Sequence, residues 1–263
     1  MDETQLPLTD HLTDLRRCLV ISLAAVAAGF LACYSQAETL GDWFFRPLFA
    51  VLPEGSSLIF TSYQDAFFFY LKLALVGGVF LASPVVFWQI WWFVAPGLYR
   101  HEKRILLPFS LLSALCFVGG AAFGYGVVFR PAFRFLLGYA TDYLTPLPAV
   151  KEYFSLAIRL LFSFGLVFEL PIALVTLARF GIVDQAFLSR HRQYAILIAF
   201  VVAAILTPTP DVVNQLLMAL PLVVLYEVGI LAVRLFGRRA DREEERISNV
   251  EQGMSNDRRD RQE

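Results

Sequence analysis

Long apolar runs, each bounded by a short cluster of charges, prolines or glycines, divide this chain into segments. The first run is Cys18 to Tyr34, entered directly from Arg16 and Arg17. The second, Ala66 to Phe93, is longer and holds Pro84. The third, Ile105 to Phe129, has Pro108 near its start and Gly119, Gly120, Gly124 and Gly126 in its second half. The fourth, Tyr153 to Leu177, carries Glu169 followed by Pro171. Tyr194 to Leu206 is a short fifth run, and Val212 to Leu235 a sixth, reached through Thr207-Pro208-Thr209-Pro210-Asp211. Crossing about 30 Å of hydrocarbon takes about 20 apolar residues as a helix, and lipid offers backbone groups no partners except one another. The pattern therefore predicts an all-α integral membrane protein of six transmembrane helices, the fifth too short to cross an unperturbed bilayer.

The segments between the runs differ in kind. Ser35 to Asp65, with Asp42, Trp43, Arg46, Pro47, Pro53 and Gly55, reads as an ordered interfacial loop with short helical pieces. Arg130 to Glu152, with Pro131, Pro146 and Pro148, reads as a loop, and Arg179 to Arg192, with Asp184, as a shorter one. The glycines of the third run are expected to let helix backbones approach closely. Beyond Arg238 the tail mixes Arg, Asp, Glu, Asn, Ser and Gln without apolar periodicity. It cannot bury enough apolar surface to order itself beyond a short helical extension. The organisation is thus a segment 1–17, a transmembrane domain 18–235 and a tail 236–263.

Composition agrees with the pattern: 57% of residues are hydrophobic and 17% charged, against about 25% charged in soluble domains. The basic residues set the orientation. With the N-terminus inside, inside segments carry sixteen Lys and Arg and outside segments four, namely Arg46, Arg130, Arg134 and Lys151. Lys and Arg favour the cytoplasmic side, so both termini are expected there. The net charge of −1 lacks the basic face that nucleic-acid binding needs. Asp2, Glu3 and Asp10 stand where a cleavable signal would be basic, and no small-residue cleavage site follows the first run, so that run is expected to stay in the mature protein. Cys18, Cys33 and Cys116 fit no metal spacing and read as small apolar residues. His11, His101 and His191 lack ligand-spaced partners, and there is neither a nucleophile turn nor a phosphate-cradling loop. Neither enzyme chemistry nor a cofactor is expected.

Ionisable groups within the runs need a partner, water or a function, because each costs at least about 2.5–3.5 kcal/mol in lipid. Glu169 lies in Phe168-Glu169-Leu170-Pro171. Pro171 frees a carbonyl one turn upstream, so a hydrated dent facing the protein interior and a protonated Glu bonded to a neighbouring helix are both open. Lys72 and Arg159 can snorkel to an interface along their stems; Glu227 is expected to make a structural hydrogen bond. Thr209-Pro210-Asp211 makes a good helix start, with Thr as N-cap and Asp near the positive helix end. Asp14 and Glu102 lie beside basic residues, where a solvated surface carboxylate is the plain reading. Phe87-Trp88 and Trp91-Trp92-Phe93 read most simply as an interfacial belt.

Four segments together resemble the TatC family, the six-span receptor subunit of the twin-arginine protein translocase. His11-Leu12-Thr13-Asp14-Leu15-Arg16-Arg17 is similar to its H-L-x-E-L-R-x-R segment, and Phe93-Val94-Ala95-Pro96-Gly97-Leu98-Tyr99-Arg100-His101-Glu102-Lys103-Arg104 to F-[IV]-x-P-[AG]-L-[YF]-x-x-E-[KR]. Phe164-Gly165-Leu166-Val167-Phe168-Glu169-Leu170-Pro171 matches F-G-x-x-F-E-x-P, and Leu206-Thr207-Pro208-Thr209-Pro210-Asp211 matches L-T-P-P-D, with Gln215 following. Two departures stand out: Asp14 replaces the usual Glu, and Thr209 is inserted before Pro210.

The resemblance implies a concave bundle with an ordered extracytoplasmic cap, both termini inside, in a bacterial inner membrane. It implies binding of twin-arginine signal peptides of folded proteins by Asp14, Arg16, Phe93, Leu98, Tyr99, Glu102, Lys103 and Arg104. It further implies docking of single-span TatA/TatB-type partners at Thr207 and Gln215, self-association, structural roles for Pro47 and Asp211 near the outer loops, and Glu169 facing a water-holding cavity. Energy would come from the proton-motive force, without nucleotide or metal. The rival reading is a small-solute or ion transporter using Glu169. Such proteins often carry two repeated halves, and Pro84, Pro171 and Pro221 do not fall at equivalent places.

Overall fold

The structure, a computed structural model, describes residues 8–53, 57–94, 106–139, 141, 143, 146–207 and 211–236. In chain order its helices are α1 (Leu8–Tyr34), α2 (Ala37–Phe49), α3 (Asp65–Val94), α4 (Leu106–Phe123), α5 (Phe129–Leu137), α6 (Val150–Phe168), α7 (Leu170–Arg179), α8 (Gln185–Arg190), α9 (Arg192–Leu206) and α10 (Val212–Phe236). A π-helical turn, Gly124–Val128, joins α4 to α5. Among the described residues, five helical stretches are long and apolar enough to cross a membrane: Leu12–Tyr34, Asp65–Val94, Leu107–Leu137, Val150–Arg179 and Val212–Leu235. α9, with 15 residues, rises only about 22 Å, the shortness expected of the fifth run.

Most boundaries agree with the apolar pattern to within a few residues, and three departures have physical causes. The N-terminal segment is not separate from the first span: α1 starts at Leu8, so Asp14, Arg16 and Arg17 ride on the same helix as the span. The loop expected from Arg130 is helical to Leu137. α5 is amphipathic there, burying Phe129, Ala132 and Phe133 while Arg130 and Arg134 face outward. Pro131 has no N–H for the Val127 carbonyl, and the widened turn just before it carries the bond from Phe129 N–H back to Gly124. Third, the segment after Arg179 contains α8, started by Asp184, whose carboxylate accepts the Phe187 N–H.

By its contacts the chain forms two compact units, residues 1–169 with 203–218, and residues 170–202 with 219–263. In the first, α1 packs along α3, α3 on α4, and α4 on α6. The closest approach is at Gly29 and Gly78. A Cβ on Gly29 would sit 2.6 Å from the Gly78 carbonyl oxygen, and one on Gly78 2.5 Å from the Phe30 nitrogen. α4 and α6 meet in the same way, a Cβ on Gly120 falling 2.4 Å from the Phe164 carbonyl oxygen. The small-residue expectation thus holds for Gly120 and Gly124, while Gly119 and Gly126 face open space. Pro84 inside α3 leaves the Phe80 carbonyl without its helical donor, and the Ser83 hydroxyl donates to it at 2.8 Å.

At the end of this unit where α3 and α6 begin, the expected ordered loop is α2 lying over an aromatic cluster. Phe44, Phe45, Phe69, Phe133, Tyr153 and Phe154 meet ring against ring, and Pro47 is buried within α2. The Tyr153 hydroxyl donates to the Phe44 carbonyl at 2.7 Å, and that of Tyr125 to the Trp43 carbonyl. Ile59 pairs in parallel with Ala149: its N–H donates to Pro148 and its carbonyl accepts from Val150, both at 3.1 Å.

In the second unit α7 is followed by Gly181, whose φ of +70° suits a residue without a Cβ, and Ile182 N–H bonds back to the Leu177 carbonyl. α10 meets α7 where Gly229 lies against Leu174, and the Tyr226 hydroxyl donates to the Leu188 carbonyl of α8 at 2.9 Å. Glu227, expected to face the bundle and make a structural hydrogen bond, instead forms a half-exposed ion pair with Arg192 at 3.0 Å.

Gly78→Leu is expected to force α1 from α3 and destabilise the protein by about 1–3 kcal/mol, the range for overpacking. Gly119→Leu, on an open face, should change stability by less than about 0.5 kcal/mol. Thermal unfolding of both variants in detergent micelles compares the two.

Candidate functional site

The residues singled out from sequence fall into three places. At the N-terminal end of the first span, Asp14 is half-buried, while Arg16 and Arg17 are exposed. Cys18, one turn beyond Asp14, is buried. The carboxylate therefore sits one turn before the first buried side chain among the described residues of α1. Phe93 is half-buried in the last turn of α3. Leu98, Tyr99, Glu102, Lys103 and Arg104 lie outside the described residues.

The second place is Glu169. The fourth span is not one helix: α6 stops at Phe168, Glu169 is its C-cap with φ −75° and ψ −14°, and α7 starts at Leu170. The break lies where Pro171 predicts it. Pro171 cannot bond the Val167 carbonyl, and backbone N–H groups at the cap take up Leu166 and Val167 instead. Glu169 is half-buried. The Ser113 hydroxyl of α4 lies near its carboxyl. Ser113, fully buried, accepts the Trp91 indole N–H at 2.9 Å, which leaves its own proton for the carboxyl. Oε1 of Glu169 is buried without a hydrogen-bond partner among the described residues. A group so placed is expensive.

Sequence reasoning missed Ser113 and misread Trp91. The aromatic run is not wholly a belt: Phe87 packs on Phe117, and Trp91 stands edge-on to Phe109. The spacing of four between Phe87 and Trp91, a single helix face, is the signal that distinguishes them from Trp92, which is exposed.

The third place is the start of α10. Asp211 accepts the Asn214 backbone N–H at 2.7 Å and its side-chain amide at 2.9 Å. Asp211 therefore caps this helix itself, a correction to the reading that gave the cap to Thr209, which lies outside the described residues. Asn214, overlooked in the sequence, is buried. The half-buried Thr207 donates its hydroxyl to the carbonyls of Ala203 and Ala204 at 2.9 and 3.2 Å, and Gln215 is half-buried. Val212, Val213 and Leu216 around these polar groups are exposed apolar side chains.

His191 rests on Phe187 with its Nδ1 2.8 Å from the Phe187 carbonyl, and among the described residues no three His, Cys, Asp or Glu side chains gather as metal ligands. Several apolar helices long enough to span a bilayer, one of the spans broken at a half-buried carboxyl, define a multi-pass membrane protein. The profile of the family described as Sec-independent protein translocase protein (TatC) matches residues 10–221. This chain belongs to the TatC family.

A Sec-independent protein translocase protein TatC from Desulforapulum autotrophicum is 47% identical over 97% of this chain and 96% of its own length. One from Magnetococcus marinus is 41% identical over 91% and 87%. A crystal structure of a twin-arginine translocase receptor, TatC, superposes with a TM-score of 0.72 at 38% identity, covering 87% of this chain and all of that one. The chain is thus a protein-translocase component rather than an enzyme, and no likeness favours a small-solute transporter.

Trp91→Phe and Ser113→Ala each remove one side of the hydrogen bond beside Glu169. Unfolding of the two single variants and the double variant should give a coupling energy of about 1 kcal/mol. Strict additivity would show that the bond does not hold the pair.

Proposed function

We propose that this chain is the receptor and assembly subunit of a twin-arginine translocase in a bacterial plasma membrane. It spans the membrane six times, counting α9, with both termini in the cytoplasm; the excess of Lys and Arg on that side supports this orientation. It binds twin-arginine signal peptides of folded precursors through Asp14, Arg16, Phe93, Leu98, Tyr99, Glu102, Lys103 and Arg104. The observation that carries the reading is the extent of the family match: residues 10–221 include both acidic positions, Asp14 and Glu102. A guanidinium fork prefers a carboxylate with fixed geometry, and two carboxylates, one before the first span and one between the second and third, can each take one arginine.

Thr207 and Gln215 mark the surface on which single-span TatA/TatB-type partners dock, beside the exposed Val212, Val213 and Leu216. Such a face suits a helix in lipid: apolar contact supplies area and a few polar groups set register. Self-association of the subunit belongs to the same assembly role. Pro47, buried in α2, and Asp211, capping α10, are structural. Glu169 acts during transport driven by the proton-motive force, and no nucleotide or metal takes part.

Glu102→Gln is expected to weaken binding of a twin-arginine signal peptide by roughly ten- to a hundredfold, the worth of a hydrogen bond to a charged group, while the protein still inserts. Unchanged crosslinking of the peptide to the membrane-embedded variant would refute the assignment. Glu169→Ala should abolish export of a twin-arginine precursor while the signal peptide still crosslinks; normal export would leave Glu169 a structural carboxyl.

A further inference from the structure

The parallel pairing of Ile59 with Ala149 brings the starts of α3 and α6 side by side. Between their first turns lies a cavity of about 200 Å³, lined by Asp65, Phe68, Phe69 and Lys72 of α3 and Val150, Lys151, Phe154 and Ser155 of α6. Two ammonium groups and one carboxylate thus share the lining. The carboxylate is already engaged by its own loop: Oδ2 of Asp65 accepts from the Thr61 N–H at 3.1 Å, the Thr61 hydroxyl at 2.9 Å and the Ser62 N–H at 2.8 Å. Lys151 lies within electrostatic reach of that carboxylate, yet neither lysine has a salt bridge among the described residues, nor does the exposed Arg159, which lies one turn past Ser155 on the same face of α6. Glu152 is exposed one position further round the helix. The Lys72 ammonium stands over the Phe68 ring, 6.0 Å from its centroid, the outer limit of a cation–π contact.

We propose that this cavity binds a phosphate-bearing anion, supplied as the phosphodiester headgroup of an anionic phospholipid. Depth favours the lipid over free phosphate. Lys72 is seven residues past Asp65, about 10 Å along the helix, which carries it from the helix end toward the acyl boundary. A cation there needs a partner or must snorkel. A phospholipid brings phosphate to that level and lays its chains on the apolar surface beyond, where Leu75 is exposed one turn past Lys72. Phe68, Phe69 and Phe154 give the cavity an apolar wall against the glycerol and first methylenes, and the Ser155 hydroxyl can donate to the phosphate oxygens.

The full chain, purified in a neutral detergent and stripped of lipid, is titrated with short-chain phosphatidylglycerol, short-chain phosphatidylcholine or inorganic phosphate while thermal unfolding is followed. Phosphatidylglycerol should raise the Tm in a saturable way, and the other two should not at the same concentrations. Each basic side chain near an anionic lipid contributes a factor of about five, so Lys72→Gln with Lys151→Gln should raise the half-saturating concentration about 25-fold, and Lys151→Gln alone about fivefold. Added salt should weaken the wild-type response. An equal response to phosphatidylcholine, no response to phosphatidylglycerol, or an unchanged half-saturation in the variants would overturn the proposal. A matching response to inorganic phosphate would overturn the lipid assignment in favour of a soluble anion. The single variant, altered only at an exposed first-turn residue, keeps the test open if the double variant fails to fold.

Discussion

Helices in a bilayer gain little by hiding apolar side chains from one another, because the lipid tails are as apolar as leucine. What remains is contact distance, and in this chain the distance is set by glycine. α1 and α3 touch backbone to backbone at Gly29 and Gly78, and α4 and α6 at Gly120 and Phe164. Gly165 completes the second contact by admitting the Phe117 ring. α1, otherwise exposed over Leu19, Val20, Leu23 and Leu31, depends on the first of these contacts for its place beside α3. The position of Asp14 follows from it, since Asp14 rides on the same helix.

The second contact positions Glu169. Bringing α4 against α6 brings Ser113 to the end of α6, and packing α3 on α4 brings Trp91 to Ser113. A carboxyl at a helix break would otherwise sample several orientations. Here a buried hydroxyl, itself held by an indole, stands beside it, while one of its oxygens stays buried without a partner. A carboxyl oxygen left buried without a partner is costly.

The connecting segments are as ordered as the spans where they can bury aromatic surface. α2 is held by the hydroxyls of Tyr125 and Tyr153 and by rings from α3 and α6. The parallel pairing of Ile59 and Ala149 then sets the first turns of α3 and α6 against each other, and the cation-lined cavity follows from that registry. Neither lysine marks itself as part of a site in isolation; their shared cavity does.

How much of this was legible in the sequence depends on whether the cause was local. The membrane class, the run boundaries, the shortness of α9 and the break at Glu169 all follow from apolar length and from the missing N–H of proline, which act within a few residues. The four family segments were legible for the same reason, as contiguous strings. Helical order across Arg130 to Leu137 was not, because Pro131 and its charged neighbours suggest a loop unless the buried face of Phe129, Ala132 and Phe133 has something to pack on. The pairing of Trp91 with Ser113, the division of the third run's glycines into two that touch α6 and two that do not, and the shared cavity of Lys72 and Lys151 all needed the tertiary structure. Each depends on which face of one helix meets another, and periodicity alone cannot choose a face when a helix is apolar all round.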